Sequence, residues 1–346
     1  MESELYTHTY DVHIHPLKGP DGGQLATDVL WLGPDSAKNV IVFISATHGV
    51  EGYTGSAIQS YLLDALNAKS LQLPPDTALL FVHALNAWGM AWHRRCDEQG
   101  IDLNRNFVNF SQPSPEHPFY QKAKVCLVEP DAKLRQAAFI KLSQELDSRT
   151  FEEAISSGQY SDEDAPFYGG AQASSSRKCI ESVMSQFRLG SRNIIVLDLH
   201  TGLGPWGYGE LISDHPAGCE QEAFAKQLFG QAIAVPSEGT SSSVPKYGLQ
   251  DYAWHKIMNQ RSCYLTLEYG TYSTHALFET LIDDHIAWAP IARIRSGDTG
   301  YVTAHERSSG KMLQHFSPAD TYWQQAVLFK ATQVVDRIFK YLEVGK

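Results

Sequence analysis

Disulfide pairing, membrane-spanning runs and an excess of positive charge are all missing from this 346-residue chain. Its five cysteines (Cys96, Cys126, Cys179, Cys219 and Cys263) are odd in number and widely scattered, with no C-x-x-C pair. That spacing excludes a disulfide framework and a thiolate zinc site, and it suits a reducing cytoplasm. No apolar run nears the roughly 20 residues needed to cross a bilayer, and the opening MESELYTHTY lacks the basic and apolar parts of a signal peptide. Lys and Arg number 28 against 39 Asp and Glu, a formal charge of −11. This balance disfavours nucleic acid and anionic membranes as partners. No G-x-S-x-G elbow supports a serine hydrolase. Gly202-Leu-Gly204, followed by Pro205, fits neither a Walker loop nor a dinucleotide turn.

What is present is a chain able to build a core, 43% apolar and 19% charged. Tyr10 to His15 alternates apolar and polar residues, Asp21-Gly-Gly offers a turn, and Val29 to Leu32 a second short strand, so an N-terminal hairpin is expected. Four short, nearly continuous apolar runs follow: Asn39–Ser45, Ala78–His83, Asn193–Leu199 and Cys263–Glu268. Runs of this kind suit strands buried on both faces. Helical patterns occupy Gly55–Leu66, Ala132–Leu146, Ser174–Phe187, Gln221–Ala232 and Gln324–Leu342. The alternation predicts one α/β domain over 1–346, with a mixed, mostly parallel sheet flanked by helices. A helical insertion over about 111–190 should cover one side of a site at the carboxyl ends of the strands.

Those strand ends carry the chemistry. Past the first lie His48 and Glu51, on a glycine-containing turn, as an H-x-x-E pair. Such a pair can serve one cation or be an ordinary surface pair. Asp102, Asn104 and Arg105 crowd the segment Gly100–Phe107, either as a polar loop or as a histidine partner with a carboxylate clamp. A third strand delivers His200 to a glycine-rich turn, and a fourth ends in Glu268 between leucines and Tyr269. A carboxylate is costly to bury in so apolar a setting unless it has a task.

The order H-x-x-E, D-x-N-R-N, a strand ending in D-x-H and a strand ending in Glu resembles the zinc carboxypeptidase superfamily, including its succinylglutamate desuccinylase and aspartoacylase branch. Thr47–Ser56 and Asn86–Arg95 look most like a bacterial group known as a domain of unknown function. The resemblance runs from about Val40 to Thr271 and implies one zinc ion held by His48, Glu51 and His200. It implies that Asp102 orients the first ligand histidine and that Asn104 and Arg105 hold a substrate carboxylate. Glu268 would be the general base, and Arg94 would polarise the scissile carbonyl, although Arg95 beside it competes for that place. The gap from Glu51 to His200 is long for the family. A substrate-capping tyrosine has no match beyond the neighbourhood of Tyr247 and Tyr252.

The activity this implies is zinc-dependent hydrolysis of an amide bond next to a free carboxylate. An N-acyl amino acid deacylase is the alternative, and a zinc-dependent binding protein without turnover is a third reading that Glu268 speaks against. His13-Ile-His15 would suit a barrel amidohydrolase, but the segment Ser111–Leu189 breaks the strand–helix rhythm of a barrel, and this face of the hairpin should be solvated. His83 reads as a hydrogen-bonded core histidine. His93, His215, His255, His275 and His285 read as surface or helix-face residues, and Cys263 as a small buried hydrophobe.

Overall fold

The computed structural model describes residues 8–292 and 298–344. Eight strands among them form one sheet: β1 (His8–Lys18), β2 (Gln24–Leu32), β3 (Asn39–Ile44), β4 (Thr77–His83), β5 (Asn193–Gly202), β6 (Gly209–Ile212), β7 (Ile233–Ala234) and β8 (Cys263–Gly270). Their spatial order is β1-β2-β4-β3-β5-β8-β6-β7. The four central strands, β4, β3, β5 and β8, run parallel, and antiparallel pairing enters at β2·β4 and β6·β8. The expected mixed, mostly parallel sheet is therefore the observed one.

The continuous apolar runs become strands covered on both faces. Along β3, Ile41 and Phe43 point into one core layer, with side chains of α1 (Gly52–Asn67), α7 (Glu220–Phe229) and α11 (Thr321–Val344). Val40, Val42 and Ile44 point into the other, against α6 (Ser175–Gln186) and Trp254 of α8 (Asp251–His255). Period-two alternation thus divides each central strand between two helical layers.

The helical insertion is real, but α6 leaves it to cover the sheet. The remaining α3 (Tyr120–Val128), α4 (Ala132–Glu145) and α5 (Ser148–Ser156) pack in a separate cluster on α9 (Thr274–Ala292) and α10 (Asp298–Phe316). Helices α9 and α10 had no counterpart in the sequence reading. In α9 the buried face carries the polar Thr280, Asp284 and His285 among Leu277, Phe278, Leu281 and Ile282, which blurs the amphipathic stripe. Strands β6 and β7, of four and two residues, are too short to show a period. The short α2 (Ala87–Ala91) completes the helices among the described residues, and none is long and apolar enough to cross a membrane.

The hairpin corrects one expectation. Tyr10, Val12 and Ile14 of β1 face solvent, whereas Asp11, His13 and His15 turn to the partly covered side, where His15 Nε2 lies 3.3 Å from Glu98. This histidine face is the more covered of the two: His15 leans on the loop after α2, while His13 and Asp11 stay half-buried.

Leu197 sits on a central strand with 1% of its surface exposed, while Ile14 on the edge is 54% exposed. Leu197→Ala should destabilise the chain by about 2–5 kcal/mol and Ile14→Ala by less than about 0.5 kcal/mol, measured by denaturant unfolding. Similar losses would contradict the assignment of core and edge.

Candidate metal centre and substrate cleft

β3, β5 and β8 end at the same edge, and their register decides what meets there. His200 of β5 lies directly beside Glu268 of β8. Beyond β3 the chain turns through Ala46 in a left-handed conformation (φ 59°), then reaches His48 and a short 3₁₀ turn over Gly49–Glu51 that leads into α1. The backbone of Gly49 and Val50 donates to the carbonyls of Arg95 and Arg94. This approach is so close that a Cβ on Gly49 would fall 2.1 Å from the backbone of Gly89, which makes glycine obligatory there.

The folded chain brings His48, Glu51 and His200 together, all buried, with potential ligand atoms within 4.8 Å of one another. Nδ1 of His48 lies 3.4 Å from Asp102 Oδ1, and Nδ1 of His200 lies 3.3 Å from Glu51 Oε2. Burial, followed by the charges of Arg95 and His200, holds the His48 imidazole well below its usual pKa, in the neutral form that coordinates metals. At His200 burial pulls the same way, but Asp198 and Glu51 outweigh it and shift this imidazole upward. Two carboxylates beside the ring make the spot favourable to positive charge, and metal binding there would release a proton from the imidazole. Two imidazoles and a carboxylate facing one cleft are a donor set that can hold zinc.

Arg95, not Arg94, belongs to this cluster. Its Nε donates to Asp102 Oδ2 (3.0 Å) and Nη1 to Glu51 Oε1 (3.0 Å), while Nη2 sits 2.7 Å from His48 Nε2. Arg94 points the other way, pairs with the buried Asp284 at 3.1 Å and lies over the Trp288 ring. Consecutive residues leaving a turn diverge, and the apolar shelf of Trp88, Trp92 and Trp288 takes the first arginine.

Asp102 caps the short turn Leu103–Arg105 by accepting from the Asn104 amide, and burial is overcome by Arg95 and Arg105 to keep its carboxyl below the usual range. Asn104 Oδ1 accepts from the Gln250 amide at 2.7 Å. Arg105, 1% exposed, donates to the carbonyls of Ser156 and Asn104, which leaves one N–H on each terminal nitrogen. Its aliphatic stem passes Gly158, where φ is +110° and a Cβ would fall 2.6 Å from Arg105 Cδ.

His48, Glu51, Arg95, Asn104, Arg105 and His200 line one cleft of about 760 Å³, whereas Arg94 and Asp102 do not reach it. Glu268 reaches it with Oε1 accepting from the Leu203 amide (3.0 Å), and burial, followed by the Glu51 charge, raises its carboxyl to about 7. The cleft also contains Glu152, Asp214, Lys246 and Asp251, none of which the sequence reading singled out. Asp214 and Lys246 lie on loops, Asp251 opens a short helix and Glu152 sits mid-helix in α5, with no motif spacing among them, so only the fold reveals them. Tyr247 and Tyr252 lie outside the lining. Of the histidines set aside, His83 is hydrogen-bonded to Ser56 as expected but is half-exposed and not in the core, whereas His215 and His285 are buried and the His215 and His255 rings lie 4.4 Å apart.

Residues 4–330 match the family described as "Protein of unknown function (DUF2817)". No curated protein matches the chain. Among solved structures it is similar to a succinylglutamate desuccinylase from Chromobacterium violaceum, at 15% identity over 92% of this chain and 72% of that one, with a TM-score of 0.38. It is also similar to carboxypeptidase A from Helicoverpa armigera (13% identity, 94% and 68% covered, TM-score 0.44) and to bovine thrombin-activatable fibrinolysis inhibitor (13%, 94% and 90%, 0.42).

The Glu268 carboxyl titrates near 7 when folded against 4.5 as its ordinary value. The folded chain therefore binds this proton more tightly, and the associated stability is present below the ordinary value and lost as pH rises through about 7. In the metal-free protein, Glu268→Gln should gain about 2–3 kcal/mol relative to wild type between about pH 4 and about pH 8. Unfolding curves with a chelator present check this; parallel curves at both pH values would refute the raised carboxyl.

Proposed function

This chain belongs to the DUF2817 family, whose function is unknown, and on that premise we propose that it is a zinc-dependent hydrolase of an amide bond next to a free carboxylate. The observation that carries the reading is the meeting, in one cleft, of the His48–Glu51–His200 donor set, a carboxyl poised near neutrality at Glu268 and the fork of Arg105. Each alone has a structural explanation. Their convergence is what amide hydrolysis requires.

His48, Glu51 and His200 would hold the zinc ion. Bound there, zinc supplies Lewis acidity and brings the pKa of water from about 15.7 towards 7. Asp102, beside His48 Nδ1, fixes the ring and its tautomer. Glu268 takes a proton from the attacking water and returns it to the departing amine, a double duty suited to a carboxyl that gains and loses its proton near pH 7. Arg95, held by Asp102 and Glu51, offers its remaining N–H groups to the charge that develops on the carbonyl oxygen. The free N–H groups of Arg105, with Asn104 beside them, receive the substrate's carboxylate in two parallel hydrogen bonds. A peptide C-terminus and an N-acyl amino acid both present that group.

The decisive experiment separates metal from base. His200→Ala should lose most of the roughly one zinc per chain, whereas Glu268→Gln should keep it while turnover on a panel of peptides and N-acyl amino acids falls about 10²–10⁴-fold. Full zinc in the first variant, or unchanged turnover in the second, would refute the assignment. No hydrolysis by the zinc-loaded wild type on any member would leave a binding protein as the better description.

Arg105→Lys should lower kcat/KM by about 10–100-fold on substrates with a free carboxylate and much less on their amides. Equal losses on both would make Arg105 a scaffold residue.

A further inference from the structure

Beyond the donor set, Glu268 and Arg105, the cleft carries three more carboxylates, Glu152, Asp214 and Asp251. Asp214 follows β6 two residues after Ile212, so both reach the cleft from the same strand end. Asp251 opens α8 two residues after Leu249, and Glu152 comes from α5. Asp251 is the unusual one. It is 2% exposed, yet neither oxygen is reached by a side-chain donor in good hydrogen-bond geometry; the Tyr252 amide of its own turn and the His255 ring, 3.4 Å from Oδ2 on the same helix, are what it meets. Burial, followed by Asp214, pushes its carboxyl well above the ordinary range. Asp214, among the described residues, makes no hydrogen bond or ion pair, and burial raises its carboxyl to about 6. Burial without a salt-bridge partner holds such acids towards their neutral form, and a cation bound beside them would favour the carboxylate and pair with it.

Lys246 does not fill that role. Its Nζ donates to the Val244 carbonyl at 2.8 Å and to the Ser243 hydroxyl, both in its own loop, and its charge is felt by Asp214 and Glu152 without closing to a salt bridge with either among the described residues. Burial, followed by Arg105, lowers its pKa to about 8. With Arg105 engaged by a substrate carboxylate, one lysine faces three acids. A second carboxylate on the substrate would meet repulsion there, whereas a cation would meet unpaired oxygens. Ile212 and Leu249 supply apolar wall ahead of the acids, as the methylene stem of a long cationic side chain needs.

The geometry points to a substrate whose carboxylate-bearing half ends in a cationic side chain, with Asp214 and Asp251 as its partners. The substrate class is thus a lysine- or arginine-like residue, linked through its α-nitrogen to the acyl group that leaves. This inference rests on the proposed amide hydrolysis for its orientation, but side-chain recognition can be tested without turnover. Calorimetric titration of the full chain with L-lysine, L-arginine, L-norleucine and L-glutamate is the experiment. Lysine and arginine should bind about tenfold or more tighter than norleucine, and Asp251→Asn and Asp214→Asn should each erode that advantage while leaving norleucine affinity within about twofold. Glutamate as the tightest ligand, equal binding of lysine and norleucine, or no binding by any of the four overturns the inference. Should a variant fail to fold, the wild-type ranking alone decides. A lysine preference without hydrolysis of any peptide refutes the proposed function only; hydrolysis indifferent to the side chain refutes this inference only.

Discussion

Asp198 has no exposed surface, and groups from four parts of the chain converge on its carboxylate. Thr47, at the end of β3, donates to Oδ1 at 2.7 Å; Tyr264 of β8 and Gln250 donate to Oδ2 at 2.5 and 3.1 Å; the His200 ring on its own strand lies 2.7 Å away. A charge so far from water is tolerated only when its lone pairs are filled, so the carboxylate dictates where each of these groups must be. The turn after β3, strand β5, the first part of β8 and the start of α8 are tied to one point. The positions of His48, one residue after Thr47, of His200 and of Glu268 all follow from that anchorage. The D-x-H pattern at the end of β5 thus has two parts: a residue that fastens the edge of the sheet, and one that faces the cleft.

The pair Arg94 and Arg95 shows how finely local geometry separates like residues. Both are buried beside a carboxylate, yet one serves a tryptophan shelf and Asp284 while the other spans Asp102, Glu51 and His48. Sequence spacing treats adjacent residues as nearly equivalent. A tight turn sends their side chains in different directions, and only the packing partners decide which one meets the cleft.

This bounds what was legible beforehand. The doubly covered strands were plain in runs such as Asn193–Leu199, because burial on both faces leaves no polar alternation, and the placement of His48, Glu51, His200 and Glu268 followed from strands ending at one edge. Helix α9 was hidden because its buried face carries the polar Thr280, Asp284 and His285 among its apolar residues, which blurs the amphipathic stripe. The histidines on β1 were read on the wrong side, since apolar Val12 and Ile14 face solvent at a sheet edge where covering material is scarce. Lys246, Asp214 and Asp251 were silent because they come together from loops and a five-residue helix, with no period or motif to announce them. Residues fixed by strand geometry could be read; residues fixed by loop closure could not.

Helices α3 to α5 form their own cluster with α9 and α10, apart from both layers of the sheet, and α5 contributes Glu152 and Ser156 to the cleft. That excursion is one unbroken stretch of chain, leaving after Arg105 and rejoining the sheet at α6. One wall of the cavity is consequently supplied by a single continuous segment, and the same segment holds Arg105 through the Ser156 carbonyl and gives its stem room at Gly158. The outline of the cleft and the aim of its arginine are therefore set by one and the same piece of chain, so a change in the packing of that segment moves both together.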